Sequence, residues 1–162
     1  MKKIGIFGLG KTGISAYEYL KRDNAVICYD DNEQNRKEFE GKFGSGALKN
    51  IDGHEWQSLD YILLSPGVPL HFPAPHDIVK LALANNIPLT SDIELLYRAN
   101  RAAKYIAITG TNGKSTTTAL IAHILGPSFA VGGNIGFPVL SLPRSEGYVL
   151  ELSSYQLELL GS

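Results

Sequence analysis

The 162-residue sequence contains one cysteine, one methionine and one tryptophan. With Cys28 as its only thiol, no internal disulfide can staple the chain, and the apolar setting "AVICY" reads as a buried, unreactive sulfur in a reducing compartment. Long apolar runs are missing too. No segment approaches the ~18 residues a transmembrane helix needs. The opening "MKKIGIFGLG" is too short and too broken by glycine to act as a secretory leader. Nor is there an excess of either charge: 15 Lys and Arg stand against 16 Asp and Glu, a net charge of −1. That balance excludes the broad basic field with which proteins capture nucleic acid or anionic membrane, although local phosphate binding stays open. Internal repeats, low-complexity tracts and charge runs are absent as well. The expectation is a cytoplasmic, soluble protein, a monomer if complete, with neither nucleic acid nor membrane as a partner.

What the chain does have is 44% hydrophobic residues and 17 glycines, enough for a packed core interrupted by tight turns. Short apolar runs alternate with helical patterns. "KIGIF" reads as a buried strand, "TGISAYEYLKR" places Ile14, Tyr17 and Leu20 on one helical face, and "AVICY" reads as a second strand. "YILLS", the helical "HDIVKLALANN" ending at Asn85 and Asn86, and a short "IPLT" strand repeat the alternation. Such alternation predicts an α/β fold with a parallel sheet and right-handed crossovers. The register restarts near Ser91, where "SDIELLYRANR" opens with a Ser/Asp helix start followed by Glu94. This helix is expected to connect two units, residues 1–91 and 92–162. In the second unit "KYIAIT" feeds the helical "STTTALIAHIL", and "GYVLEL" feeds "SYQLELL". Two strand-helix pairs are fewer than a sheet covered on both faces normally has, so the second unit is expected to be incomplete.

Two glycine loops carry the chemistry. "GLGKTG", Gly8 to Gly13, fits G-x-G-x-x-G, follows a predicted strand and opens a helix. Glycine there lets backbone N–H groups approach a phosphate at the positive end of the helix. Asp30 ends the second strand, where an acid contacts a ribose or base. By itself this pattern favours NAD or FAD, and it is also compatible with a tight turn that holds no ligand.

"TGTNGKST" is the second loop. A P-loop reads G-x-x-x-x-G-K-[ST], but Ile108 stands where its first glycine belongs, so this is a shorter form. Gly110 and Gly113 permit an anion nest, Lys114 can reach the outer phosphates of ATP, and the Ser115 hydroxyl is placed to hold Mg²⁺. A second magnesium anchor should come from the tip of a neighbouring strand, and Glu151 at the end of "YVLEL" is the candidate. It is equally compatible with a solvent-facing strand residue. The glycines of "VGGNIGFP" suit a bulge or turn, with Asn134 either capping that loop or offering a polar contact at the sheet edge.

Taken in order, "GLGKTG", "LSPGVP", "SDIELL", "ITGTNGKSTTT", "GGNIG" and "YVLELSSYQLE" span nearly the whole chain. In these segments it resembles the Mur ligase family of peptidoglycan synthesis, and within it the D-glutamate-adding branch. The resemblance implies a Rossmann-like first domain that holds UDP rather than a dinucleotide, followed by the first part of a P-loop-type ATPase domain. It implies that Gly10, Lys11 and Thr12 face the diphosphate, that Asp30, Ser65 and Gly67 contact the nucleotide, and that Asn134 and Ser153 lie near the muramoyl-alanine end. ATP would sit on Gly110, Thr111, Asn112, Gly113, Lys114, Ser115 and Thr116, with Lys114 and Glu151 catalytic and Ser115 and Glu151 on Mg²⁺. Relatives often have a basic or hydroxyl residue just after the aspartate, where this chain has Asp31 and Asn32. The implied reaction is ATP-dependent amide formation between UDP-N-acetylmuramoyl-L-alanine and D-glutamate through an acyl phosphate. Family members continue into the rest of the ATPase sheet and a C-terminal D-glutamate-binding domain, so these 162 residues are not expected to ligate by themselves. The other readings are a non-catalytic module that binds nucleotide or UDP-sugar, and an NAD-dependent oxidoreductase built on "GLGKTG".

Overall fold

The computed structural model describes residues 1–160. Its first sheet has four parallel strands in the order β2-β1-β3-β4: β1 Lys3–Phe7, β2 Ala25–Tyr29, β3 Tyr61–Leu64 and β4 Leu89–Thr90. Three helices accompany it, α1 Lys11–Leu20, α2 Glu33–Phe43 and α3 Asp77–Ala84. β1 is an inner strand, buried from Ile4 through Phe7, so its side chains feed cores on both faces. One core gathers Phe7, Trp56, Ile62, Leu64 and Ile78; the other gathers Ile4, Ile6, Leu9, Cys28, Phe39 and Leu63. Burial of Cys28 pushes its thiol pKa far up, so the sulfur behaves as a small hydrophobe.

The helix ends are set by local chemistry. Asn32 caps α2 by accepting from the Gln34 and Asn35 amides. α3 closes at Asn85, followed by Asn86 with a left-handed φ of 53°, the asparagine exit expected from the sequence. α4, Asp92–Ala99, begins at Ser91, whose Oγ accepts from the Glu94 amide at 3.2 Å, while the Glu94 carboxylate pairs with Arg98.

The second sheet is parallel with the order β5-β7-β6: β5 Lys104–Ile108, β6 Phe129–Gly133 and β7 Gly147–Glu151. It therefore has three strands, not the two read from the sequence. β6 was hidden because "FAVGG" ends in glycines that mimic a turn, yet it pairs with β7 from Phe129↔Gly147 to Gly133↔Glu151. α5, Lys114–Leu125, follows β5, and α6, Ser154–Glu158, follows β7. α4 buries Ile93 and Leu96 with Tyr148, Leu150 and Leu152 against the second sheet, while Leu95 packs on a core of the first. The two halves also meet where Ser15 on α1 and Ser141, in the short 3-10 helix Val139–Ser141, share a hydroxyl hydrogen bond of 2.8 Å.

Candidate functional site

The first glycine loop is clamped by both neighbouring strands. The Gly8 amide donates to Tyr29 O at 2.9 Å, the Ser65 hydroxyl donates to Gly8 O at 2.7 Å, and the Leu9 amide donates to Asp30 Oδ2 at 2.5 Å. Gly13 lies so close beneath that a Cβ there would stand 1.8 Å from Gly8 O, so only glycine fits. Gly10 is different: a Cβ there would meet no protein atom within 4 Å, and nothing in the packing asks for glycine. It opens onto a cleft of about 590 Å³, where close backbone approach by a ligand would use the missing side chain.

Lys11, Thr12, Asp30, Ser65 and Gly67 line this cleft. Asp30 is buried, and its carboxylate accepts from the Leu9 and Asn32 amides and from Asn35 Nδ2 at 2.5, 2.7 and 2.9 Å. Much of its acceptor capacity thus goes into holding the loop. The more exposed carboxylate on the cleft wall is Asp31, gripped by His76 Nε2 at 2.8 Å. His76 was not foreseen. Its Nδ1 accepts from the Ile78 amide at 3.2 Å, which in the neutral ring leaves the proton on Nε2, facing Asp31. The ring also packs on Phe7 with centroids 4.7 Å apart. The available signal was its place just before the helical "DIVK", where a helix wants an acceptor, though histidine is an uncommon cap.

The second loop runs from the end of β5 into α5. Gly110 and Gly113 take φ of +144° and +77°, which side chains disfavour. Lys114 Nζ donates to Gly110 O at 2.7 Å, which folds the ammonium over the loop. Thr118 is buried and donates back to Lys114 O at 2.8 Å, which fixes the first turn of α5. Thr111, Asn112 and Thr116 stay exposed around the nest. Ser115 Oγ donates to Glu151 Oε2 at 2.7 Å. Glu151 is buried at the tip of the central strand, and the serine is the partner that burial of a carboxylate requires.

The side chains fit Mg²⁺. That ion takes one or two protein oxygens and completes its shell with phosphate and water, so a hydroxyl and a carboxylate beside an anion nest form a suitable donor pair. Among the described residues no group of three or more His, Cys, Asp or Glu forms a fuller cage. Glu151 also ties the second loop to the loop that carries Asn134. Its carbonyl accepts from the Asn134 amide at 2.9 Å, and Asn134 lines the first cleft along with Gly133, Gly136 and Pro138. Gly133 makes this crossing possible, since a Cβ on it would lie 2.3 Å from Glu151 O. Ser153 is the N-cap of α6: its Oγ accepts from the Gln156 amide while Gln156 Oε1 accepts from the Ser153 amide at 3.0 Å, a capping box. It does not line the first cleft.

Fold and site together define an α/β protein with two glycine-rich strand-to-helix loops at the C-terminal ends of parallel strands. The family description "Mur ligase MurD-like, N-terminal domain" matches residues 2–90, and the chain belongs to this family of Mur ligases. Among similar proteins is a UDP-N-acetylmuramoylalanine--D-glutamate ligase of Rickettsia prowazekii, 55% identical over 99% of this chain and 36% of the relative. Proteins of the same name from Wolbachia sp. subsp. Brugia malayi and Caulobacter vibrioides are 41% and 43% identical, over 98% and 99% of this chain. The chain thus spans about a third of the length of the curated relatives it matches, 36% of the first and 33% of the second. No helix among the described residues is long and apolar enough to cross a membrane.

Proposed function

We propose that the chain is the nucleotide-binding portion of a cytoplasmic, ATP-dependent ligase that joins D-glutamate to UDP-N-acetylmuramoyl-L-alanine in peptidoglycan synthesis. In this reading, residues 1–91 hold UDP and residues 92–162 hold ATP and Mg²⁺. The observation that carries it is the double role of Glu151, whose carbonyl holds the Asn134 loop of the first cleft while its carboxylate holds Ser115 of the second loop. A substrate lying along the first cleft past Asn134 would bring its far end toward the nucleotide phosphates, as a carboxylate that is to be phosphorylated must come.

The diphosphate of UDP is assigned to the N-terminus of α1, with the Gly10, Lys11 and Thr12 backbone and the Lys11 ammonium against its charge. Asp30 keeps that loop in shape, while Asp31, Ser65 and Gly67 border the nucleoside. In the second loop the Gly110 to Thr116 segment cradles the ATP phosphates and Lys114 places its ammonium beside them. Ser115 and Glu151 would hold Mg²⁺, which supplies charge neutralisation as the γ-phosphoryl group moves. The alanine carboxylate attacks the γ-phosphorus, ADP leaves, and the amine of D-glutamate then displaces phosphate from the acyl phosphate to form the amide. Asn134 and Ser153 stand near the reacting end.

Calorimetric titration of the 162-residue chain tests the binding half of this reading. UDP is expected to bind in preference to NADH, and ATP binding is expected to strengthen with Mg²⁺. Lys114→Ala should weaken ATP binding at least tenfold and leave UDP binding unchanged. Preference for NADH would turn the first cleft back into a dinucleotide site. Incubated with all three substrates, these 162 residues by themselves are expected to release no ligated product.

A further inference from the structure

Asp31 is held from two helices. On the α2 side, Arg36 Nη1 donates to the Asp30 and Asp31 carbonyls at 2.5 and 2.9 Å, and its guanidinium lies 5.1 Å from the Tyr29 ring centroid. On the α3 side, His76 Nε2 meets Asp31 Oδ2 at 2.8 Å. His76 is itself fixed at three points: its amide donates to Pro69 O at 3.0 Å, its Nδ1 accepts from the Ile78 amide, and its ring packs on Phe7. The histidine side chain is 21% exposed, whereas that of Asp31 is 62% exposed on the cleft wall. A fixed donor thus takes one oxygen of a carboxylate whose other oxygen, Oδ1, has no hydrogen-bond partner among the described residues. The fold gains little from this bond. The α3 cap needs only Nδ1, Arg36 already secures the Asp31 backbone, and a pair with so exposed a partner adds little stability.

We propose that His76 is a positioning residue that presents Asp31 to the base of the nucleotide as a single-oxygen acceptor, and so makes the first cleft selective for uracil. Phe7, Val68 and Pro69 line the same cleft and give it an apolar wall that suits a flat ring. Uracil offers one imide N3–H, set between two carbonyl oxygens. A freely turning carboxylate would bring its second oxygen against one of those carbonyls; bonded to Nε2–H, Oδ2 stays with the histidine and Oδ1 is left for the base. Guanine, with adjacent N1–H and N2–H donors, is best matched by two free oxygens. Cytosine has a lone pair at N3, where a carboxylate needs a proton. The buried Asp30 is not available for this task, since its oxygens already serve the Leu9 and Asn32 amides and Asn35 Nδ2.

This inference rests on the reading of the first cleft as a UDP site, and the experiment separates the two. UDP, CDP and GDP are titrated against the whole 162-residue chain as wild type, His76→Asn, His76→Gln and Asp31→Asn, with a urea unfolding midpoint for each. Asparagine puts an acceptor where Nδ1 stands and keeps the α3 cap, but is too short to reach Asp31; glutamine reaches Asp31 with an amide donor and gives up the cap. His76→Asn is expected to keep the midpoint close to wild type and to weaken UDP binding about tenfold, whereas His76→Gln lowers the midpoint yet binds UDP within about threefold of wild type. In Asp31→Asn the amide oxygen stays with His76 and the amide N–H faces the base. The UDP-to-CDP preference should then move about tenfold toward CDP, whose N3 accepts. UDP affinity in His76→Gln no better than in His76→Asn, or an unchanged UDP-to-CDP ratio in Asp31→Asn, overturns the proposal. A wild-type chain that binds none of the three nucleotides removes the UDP reading of the cleft itself.

Discussion

Gly8 and Gly110 both follow a parallel strand and lead into a helix, but their surroundings hold them differently. The first loop is fastened by side chains from both flanking strands, Ser65 on one side and Asp30 on the other, and Gly13 fits beneath it with no room for a Cβ. The second loop is held by its own helix, through Lys114 to Gly110 O, and from outside by the Ser115 bond to Glu151. The helices differ likewise. α1 buries Gly13, Ser15, Ala16 and Leu20, whereas α5 buries Thr118 and leaves Leu120 and Ile124 58% and 71% exposed. A glycine loop can thus be braced by the sheet around it, or rest on its own lysine and a single carboxylate.

Substitutions that fall on one loop and spare the other sharpen this contrast. The largest effect is expected from Gly13→Val, which drives a branched side chain into Gly8 O. It should cost about 3 kcal/mol in urea unfolding and abolish UDP binding. If UDP binding survives, the first loop is not the rigid one.

Next comes Asp92, at the joint between the two halves. Its carboxyl pKa rises from 3.8 to about 6 on folding, so the folded state retains a proton that the unfolded chain has lost between those values. Stability is therefore greatest below pH 4, falls by about 3 kcal/mol as pH rises to 6, and is flat above. Asp92→Asn should remove that slope, read from urea midpoints at pH 4, 5, 6 and 8. An unchanged slope would place the titration elsewhere.

Smaller still, Ser65→Ala removes one brace of the first loop, for a loss of about 1 kcal/mol and a weaker UDP titration with ATP binding unchanged. The smallest is Ile124→Lys on the exposed face of α5, which should shift the unfolding midpoint by no more than ~0.5 kcal/mol. A large drop there would mean that α5 is packed more like α1.

Much of the scaffold was legible because it is local. The period of "TGISAYEYLKR", the glycines of both loops, the Asn85–Asn86 stop and the Ser91 cap each act within a few residues, and the helices begin and end accordingly. β6 escaped because two terminal glycines carry no strand signal; its pairing with β7 makes it a strand. α2 escaped for a related reason: its polar run "EQNRKEFEGKF" buries only Phe39 and has little periodic contrast. In the site, the lysine, serine and acid of the second loop could be named from residue type and place, but His76 could not, since its partner Asp31 belongs to a different strand end.

The sequence by itself determined the alternation of strands and helices, the two glycine loops and the lysine, serine and acid gathered at the second, because backbone sterics and side-chain chemistry are properties of short stretches. Only the tertiary structure decided which acid is engaged and which is exposed, Asp30 or Asp31, and that one residue, Glu151, touches both the Ser115 loop and the Asn134 loop that lines the first cleft. Those outcomes depend on which strand ends lie side by side, and sheet order follows from the burial of whole faces, which no short stretch encodes.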